Sequence, residues 1–230
     1  MARSTRTLFL DANVLAAPVT RTLLLVGIEA IDIVATWSRH AEDEANKHLR
    51  PRAISVTDLR ATILESELSP EGENPGRFAA TKGADRQILA DVAAADAAYL
   101  ITTDVNDFAE VDLVAEKIAA VNPDLFMATR FTEEAYERAL AQLVSSLVNP
   151  PKTTAQMHAL IGRKHPRLHA RFLHLYPGAA PKATTEHEPR VLYRGARCII
   201  CGRVAKDPAK LTLGCHPGCL RTLRQSAADT

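Results

Sequence analysis

Five acidic residues of this chain stand where oxygen ligands for a cation would be useful. Asp11 follows the apolar stretch "TLFL", Asp104 and Asp107 follow "AYLIT", Glu44 lies inside "AEDEANK", and Asp85 opens "DRQILADV". Ionised carboxylates brought together repel each other, so such a group persists only if cations neutralise it or some of the acids stay protonated. An all-oxygen donor set selects hard ions such as Mg2+ or Mn2+ over zinc. Each acid also has an ordinary structural use. Asp85 could cap a helix, Asp11 with Asn13 could shape an Asx-turn, Asp107 could cap a turn, and Glu44 belongs to a solvated "EDE" run in which Glu42 or Asp43 would serve as well by composition. What sets them apart as a group is that Asp11 and Asp104 both follow strand-like segments. In an open parallel sheet, binding groups gather beyond the carboxyl ends of the strands.

The elements that must position these acids alternate in type. "TRTLFLDANVL" predicts a strand over 6–10, and "TRTLLLVGIEA" has a helical look. "IDIVATW" suggests a second strand, followed by a helix from Ser38, an acceptable N-cap with acids after it. "SVTDLRATILESEL" predicts a helix opened by Thr57 or Asp58, "SPEGENPGR" a loop, and "GADRQILADVAAADA" a helix. "AYLITT" is nearly devoid of polar residues, as expected of a strand covered on both faces, and "TEEAYERALAQLVSSL" is helical. Strands alternating with helices imply an α/β fold with a parallel sheet over residues 1–150.

Beyond "NPPKTT" a helical extension covers 151–176, with Met157, Leu160, Ile161, Leu168, Phe172 and Leu175 as its apolar stripe. Pro166 divides it into two short helices. His158, His165, His169 and His174 alternate with Arg163, Lys164, Arg167 and Arg171, without acids, which indicates a basic solvated helix face. Residues 177–193 have linker composition.

Residues 194–230 form a small cysteine-bearing module. Cys198 and Cys201 are spaced as a knuckle, and Cys215 and Cys219 follow with His216 between them. Two such pairs are a zinc signal in a reducing compartment, with the fourth ligand either Cys215 or His216. A site with every position filled by protein is structural. It is surrounded by Arg194, Arg197, Arg203, Lys206, Lys210, Arg221 and Arg224, suited to phosphate contacts.

The acidic pattern resembles that of the PIN-domain family, VapC-like metal-dependent ribonucleases. The segments that carry the likeness are "FLDANVL" at 9–15, "WSRHAEDE" at 37–44, "ADRQILADVAAADAAYLITTDVNDF" at 84–108 and "NPDLFM" at 122–127. The "NPPKTT" segment and the helices after it resemble an extension in one bacterial branch, and the cysteine module resembles a treble clef or zinc ribbon. The resemblance implies a PIN-like parallel sheet flanked by helices, and a nuclease hydrolysing phosphodiesters with Mg2+ or Mn2+ held by Asp11, Asp85 and one or both of Asp104 and Asp107, with Glu44 among the catalytic acids. Which of Asp104 and Asp107 holds metal stays open, because branches of the family differ there. Asn13, Ser38 and Thr102 are candidates for orienting ligands or touching phosphate. Trp37 is assigned to the core.

The partners so implied are an RNA substrate and, in the role of a type II toxin, a small antitoxin; a homodimer also stays open. The length and the zinc knuckle depart from a minimal toxin. The alternative is a non-catalytic nucleic-acid-binding or scaffold protein acting through the basic tail.

Composition sets the outer bounds. The 230 residues suffice for one domain of ordinary size plus an appendage. Residues 1–150 carry 14 Lys/Arg against 23 Asp/Glu, a net of −9, while 151–230 carry 14 against 4, a net of +10. An acidic body with a basic tail suits a metal-binding body and a tail that meets a polyanion. "LLLVGIEAIDIVATW" is interrupted by Glu29 and Asp32, so no membrane span is expected. The N-terminus makes a poor signal peptide, which points to the cytoplasm and to reduced cysteines.

Overall fold

A computed structural model describes residues 3–51, 53–146, 150–178 and 191–228, with side chains to 222. Its five strands are β1 (Ser4–Leu10), β2 (Val34–Thr36), β3 (Ala97–Ile101), β4 (Ala119–Val121) and β5 (Tyr193–Gly195). They form one sheet in the order β2-β1-β3-β4-β5. The first four run parallel, and β5 adds antiparallel to β4. The helices in chain order are α1 (Ala12–Leu15), α2 (Pro18–Glu29), α3 (Arg39–Lys47), α4 (Val56–Asp58), α5 (Asp85–Ala94), α6 (Glu110–Ala115), α7 (Pro123–Arg130), α8 (Glu133–Ser146), α9 (Thr154–Ile161), α10 (Pro166–Arg171) and α11 (Pro217–Ala228). This is an α/β fold, and among the described residues no helix is long and apolar enough to cross a membrane.

The sheet positions the acids by simple geometry. Residues Ala97–Ile101 of β3 are all buried, which is what parallel strands with helices on both faces require. β1 and β3 are direct neighbours, with Leu10 beside Ile101. The residues that follow each strand, Asp11 and Thr102, therefore emerge side by side at the same edge. The Asp11 N–H donates to the Ile101 carbonyl at 3.1 Å, so the chain leaves the sheet only after Asp11 is fixed.

Local chemistry sets the helix boundaries. Ser38 caps α3 by accepting the Ala41 N–H at 3.3 Å. Pro18 and Pro166 stand at the first positions of α2 and α10, where the missing N–H has no cost. Thr153 and Gln156 make a reciprocal capping box on α9. The Asp124 carboxylate accepts from the N–H groups of Arg167 and Leu168 at 3.1 and 2.9 Å, which satisfies the start of α10 from α7. The helix expected over "SVTDLRATILESEL" is present but changes character. α4 runs directly into a π-helical stretch, Leu59–Leu64, which ends at Glu65 with φ of 46°.

The extension is two short helices, as Pro166 dictates, but its histidines are not solvated. His158, His165 and His169 are buried, and only His174 is half-exposed, pairing with Glu133 at 2.8 Å. His158 Nδ1 meets the Tyr136 hydroxyl at 2.7 Å, and the His165 Nε2 meets Thr20 at 2.9 Å. The His158 and His169 rings stack at 4.2 Å. The histidines thus form the seam between the extension and the helices α2 and α8.

Burial pushes His158 and His165 down from 6.5 to about 4. Between those pH values the unfolded chain binds more protons than the folded one, so stability rises with pH across that window. The neutral imidazoles contribute fully above about 6.5, and the contribution is lost as pH falls towards 4. The loss is on the order of 3 kcal/mol per ring. Denaturant titrations at pH 7 and pH 5 are expected to show a marked loss at the lower pH, smaller in His158→Gln.

Candidate active site

The acids line one pocket at the carboxyl edge of the sheet, with a volume of about 810 Å3. Asp11, Asp85, Asp104, Asp107 and Glu44 all contribute to its lining. Asp11 sits after β1. Asp104 and Asp107 flank the 3-10 turn Val105–Asp107 after β3. Asp85 is the first residue of α5 and makes no cap, that position being taken by Ala84.

Asp11 is the most enclosed of them. Its Oδ1 accepts the Ala12 N–H at 2.7 Å, and its Oδ2 accepts from the Thr102 hydroxyl at 2.7 Å and the Asn13 amide at 2.8 Å. Burial pushes its carboxyl up to about 6, against the lowering effect of Thr102 and the Ala12 N–H and with help from Asp85 and Asp104. Burial also raises Asp85, with Asp107 and Asp104 adding like charge. Among the described residues no Lys, Arg or His forms an ion pair with Asp11, Asp85, Asp104 or Asp107. Four carboxylates without a protein cation offer oxygens alone, the chemistry of a hard divalent ion. Among the described residues only a Cys/His group has its ligand atoms gathered within 4.8 Å, so an ion would have to draw these acids closer.

Asn13 ties the cluster together. Its amide nitrogen lies 2.8 Å from Asp11 Oδ2, 2.9 Å from Thr102 Oγ1 and 3.1 Å from Asp104 Oδ2, and its carbonyl oxygen accepts the Thr103 N–H at 3.1 Å. The one side chain therefore sets the separation of Asp11 and Asp104. Thr102 is fully buried and its hydroxyl is spent on Asp11, Asn13 and the Asp104 N–H, so it orients carboxylates and does not reach solvent. Asn13→Ala is expected to weaken Mn2+ binding roughly 10- to 100-fold, the usual cost of losing a residue that orients ligands. Calorimetric titration of Mn2+ checks this, and the thermal midpoint should change little.

The "EDE" run is resolved by burial. Glu42 is buried away from the pocket, accepting from Trp37 at 3.0 Å, Thr57 at 2.9 Å and Arg60 at 2.8 Å. Burial alone would raise its carboxyl, and the bonds from Arg60, Trp37 and Thr57 outweigh that and hold it low. Asp43 is exposed. Glu44 faces the pocket, and hydrogen bonds from Lys47 at 3.1 Å and His48 at 2.9 Å keep it below the usual carboxylate range. Ser38 lies elsewhere. It is buried, and its hydroxyl donates to the buried Asp91 at 2.5 Å, linking α3 to α5.

At the other end of the chain, ligand atoms of Cys198, Cys201, His216 and Cys219 lie within 4.8 Å of one another. Tetrahedral ligands at roughly 2.0–2.3 Å from zinc are of this mutual spacing. Of the two options for the fourth position, the structure gathers His216, whose Nδ1 is 3.4 Å from Cys201 Sγ. Cys215 is buried outside the group, and its thiol donates to Cys198, which raises the Cys215 pKa. That bond, followed by backbone N–H groups, draws Cys198 down to about 3 against the effect of burial. A thiolate accepting backbone N–H groups is what a metal knuckle provides.

Two of the arginines assigned to a phosphate surface are occupied within the fold. Arg197 is buried, donating to the carbonyls of Lys117 at 3.0 Å and Gly202 at 2.7 Å. Arg194 donates to the Phe108 carbonyl at 3.1 Å and to the Asn106 side chain at 3.1 Å, so it grips the turn that carries Asp107. The sequence contains no local signal for the bonds to Lys117 and Phe108, because both join segments more than 75 residues apart.

No family model and no solved structure matches the chain. A protein of Mycobacterium tuberculosis (strain ATCC 25618 / H37Rv) named "Putative ribonuclease VapC50" is 27% identical over 99 residues. The match spans 42% of this chain and 59% of that relative's length. The chain thus spans less than two thirds of the relative that it matches.

Proposed function

We propose that the protein is a metal-dependent endoribonuclease whose active centre is the acidic pocket. The observation that carries this reading is the cluster of Asp11, Asp85, Asp104 and Asp107 around one pocket, at the edge where two neighbouring parallel strands end, with no protein cation paired to it. The choice of RNA draws on the relative whose printed name is a ribonuclease.

The four aspartates would hold Mg2+ or Mn2+, with Glu44 in the same lining. When bound, such an ion supplies an acidified water and offsets charge growing on the phosphoryl and leaving oxygens. The chain's own contribution is preorganisation. Thr102 and the Ala12 N–H hold Asp11 in one rotamer, and Asn13 couples it to Asp104. Carboxylates already fixed need not reorganise as negative charge develops on the substrate. Zinc at Cys198, Cys201, His216 and Cys219 would be structural, since the protein fills all four positions and leaves none open.

The setting we favour is a type II toxin restrained by a small antitoxin that covers the pocket, and growth arrest on expression, relieved by inactivating the pocket, tests it. The activity itself is tested by incubating purified protein with single-stranded RNA, duplex RNA and DNA in Mn2+, Mg2+ or EDTA. Cleavage of RNA that needs the ion supports the reading. Inert protein that still binds RNA with steep salt dependence would overturn it in favour of a binding role for the basic tail.

A further inference from the structure

The pocket is not acidic throughout. Lys152, Arg163 and Lys164 also line it, carried on the residues just before and just after α9. Arg163 and Lys164 are exposed and Lys152 is half-buried. Among the described residues none of the three has a carboxylate partner. Long flexible cations share a cavity with four unpaired carboxylates and do not pair with them. Apolar side chains share the lining, and Val19 and Leu160 are left 38% and 36% exposed.

A ligand that satisfies this lining needs anionic groups for the cations that flank α9, a further anionic group that reaches the acids through a metal, and an apolar or aromatic body for the rest of the wall. An acidic peptide would answer only the cations, and a cationic one only the acids. A nucleic-acid strand answers all three, with successive phosphates for the cations and the acids and a base or ribose for the apolar lining. The volume of about 810 Å3 is in the upper range for a formed binding pocket.

We propose that Lys152, Arg163 and Lys164 form a phosphate subsite that holds the single-stranded RNA backbone next to the cleaved bond. The extension thereby becomes part of the substrate channel. This rests on the nuclease reading above. In that scheme the acids and their metal perform the chemistry, and the three cations supply binding and register without touching the reacting atoms.

The test is a triple variant, Lys152→Gln with Arg163→Gln and Lys164→Gln, beside a charge-preserving triple of Lys152→Arg, Arg163→Lys and Lys164→Arg. Binding of a fluorescent single-stranded RNA of about a dozen nucleotides is followed by anisotropy across a salt series, with Ca2+ filling the oxygen site. The neutral triple is expected to bind at least about tenfold more weakly at low salt. Its salt slope should fall by about 2, from three lost contacts at about 0.7 each. KM for cleavage should rise while kcat at saturating RNA stays within about threefold, and the charge-preserving triple should recover most of the affinity. Wild-type cleavage with unchanged KM and slope in the neutral triple would overturn the subsite and leave the nuclease reading intact. A fall in kcat at unchanged KM would also overturn it. Absence of cleavage by the wild type would remove the nuclease reading, and the salt slopes would still decide whether these cations meet phosphate.

Discussion

Asp11→Asn is expected to abolish RNA cleavage in Mn2+, by at least about a thousandfold in kcat, with the fold intact. A thousandfold is about 4 kcal/mol of barrier. The argument starts from position: Asp11 ends β1 beside the end of β3, and its backbone is already fixed by the Ile101 carbonyl at 3.1 Å. Asparagine keeps the side-chain shape and its one oxygen can still accept from Thr102 and Asn13, while its amide nitrogen gives up the bond from the Ala12 N–H. What disappears is the charge that, with Asp85, Asp104 and Asp107, would balance a divalent ion. In metal-free protein that charge is costly, since burial pushes the Asp11 carboxyl up to about 6. Relief of that cost offsets the lost Ala12 bond, so the metal-free protein should stay about as stable at pH 7. Loss of activity with an equal or higher thermal midpoint in EDTA would mark Asp11 as kept for function at the expense of stability. Unchanged cleavage in Asp11→Asn would assign the activity to a contaminant or to another site.

The parts legible in the sequence share a cause. The last three residues of β1 and all of β3 are apolar and buried, with Asp11 directly after the first and Asp104 three residues after the second, and burial on both faces of a parallel sheet produces that contrast. Pro166 and the capping residues mark helix boundaries by chemistry confined to a few positions. β4 and β5 have three residues each, too short for a pattern, and exist because their neighbours pair with them. The choice among Glu42, Asp43 and Glu44 depends on the rotation of α3 against Trp37 and Arg60, which composition does not encode. The histidines illustrate the same limit in the opposite direction. Interleaved with arginines they suggest a wet surface, yet Thr20 and Tyr136, far away in the chain, bury them. Arg163 and Lys164, just ahead of His165, stay exposed and line the pocket.

Breaking the C-terminal Cys/His cluster that would hold zinc is expected to disable the acidic pocket as well, although the two centres share no ligand. β5 precedes Cys198 by only a few residues and pairs with β4, where Gly195 at φ 125° lies so close to Ala119 and the Ile118 carbonyl that a Cβ would collide. Tyr99, in the middle of β3, donates to the Cys198 carbonyl at 2.6 Å, and Arg130 donates to that of Ile199 at 2.9 Å. Arg194 of β5 then grips Asn106 and Phe108 on either side of Asp107. A small knuckle has little core of its own and depends on its metal for folding free energy, on the order of 10 kcal/mol in isolated modules. When Cys201→Ser removes a ligand, the knuckle and β5 should loosen together, lowering the thermal midpoint by roughly ten degrees or more. The turn bearing Asp107 then loses its clamp, and the Mn2+ concentration for half-maximal cleavage should rise at least about tenfold. Arg194→Ala separates the two effects. It leaves all four zinc ligands in place, so zinc content should stay at one per chain while the Mn2+ requirement rises, and Arg194→Lys should restore only part of the loss because a single ammonium cannot span Asn106 and Phe108 as a guanidinium does. If Arg194→Ala binds Mn2+ and cleaves as the wild type does, the knuckle stabilises the sheet without setting the position of Asp107.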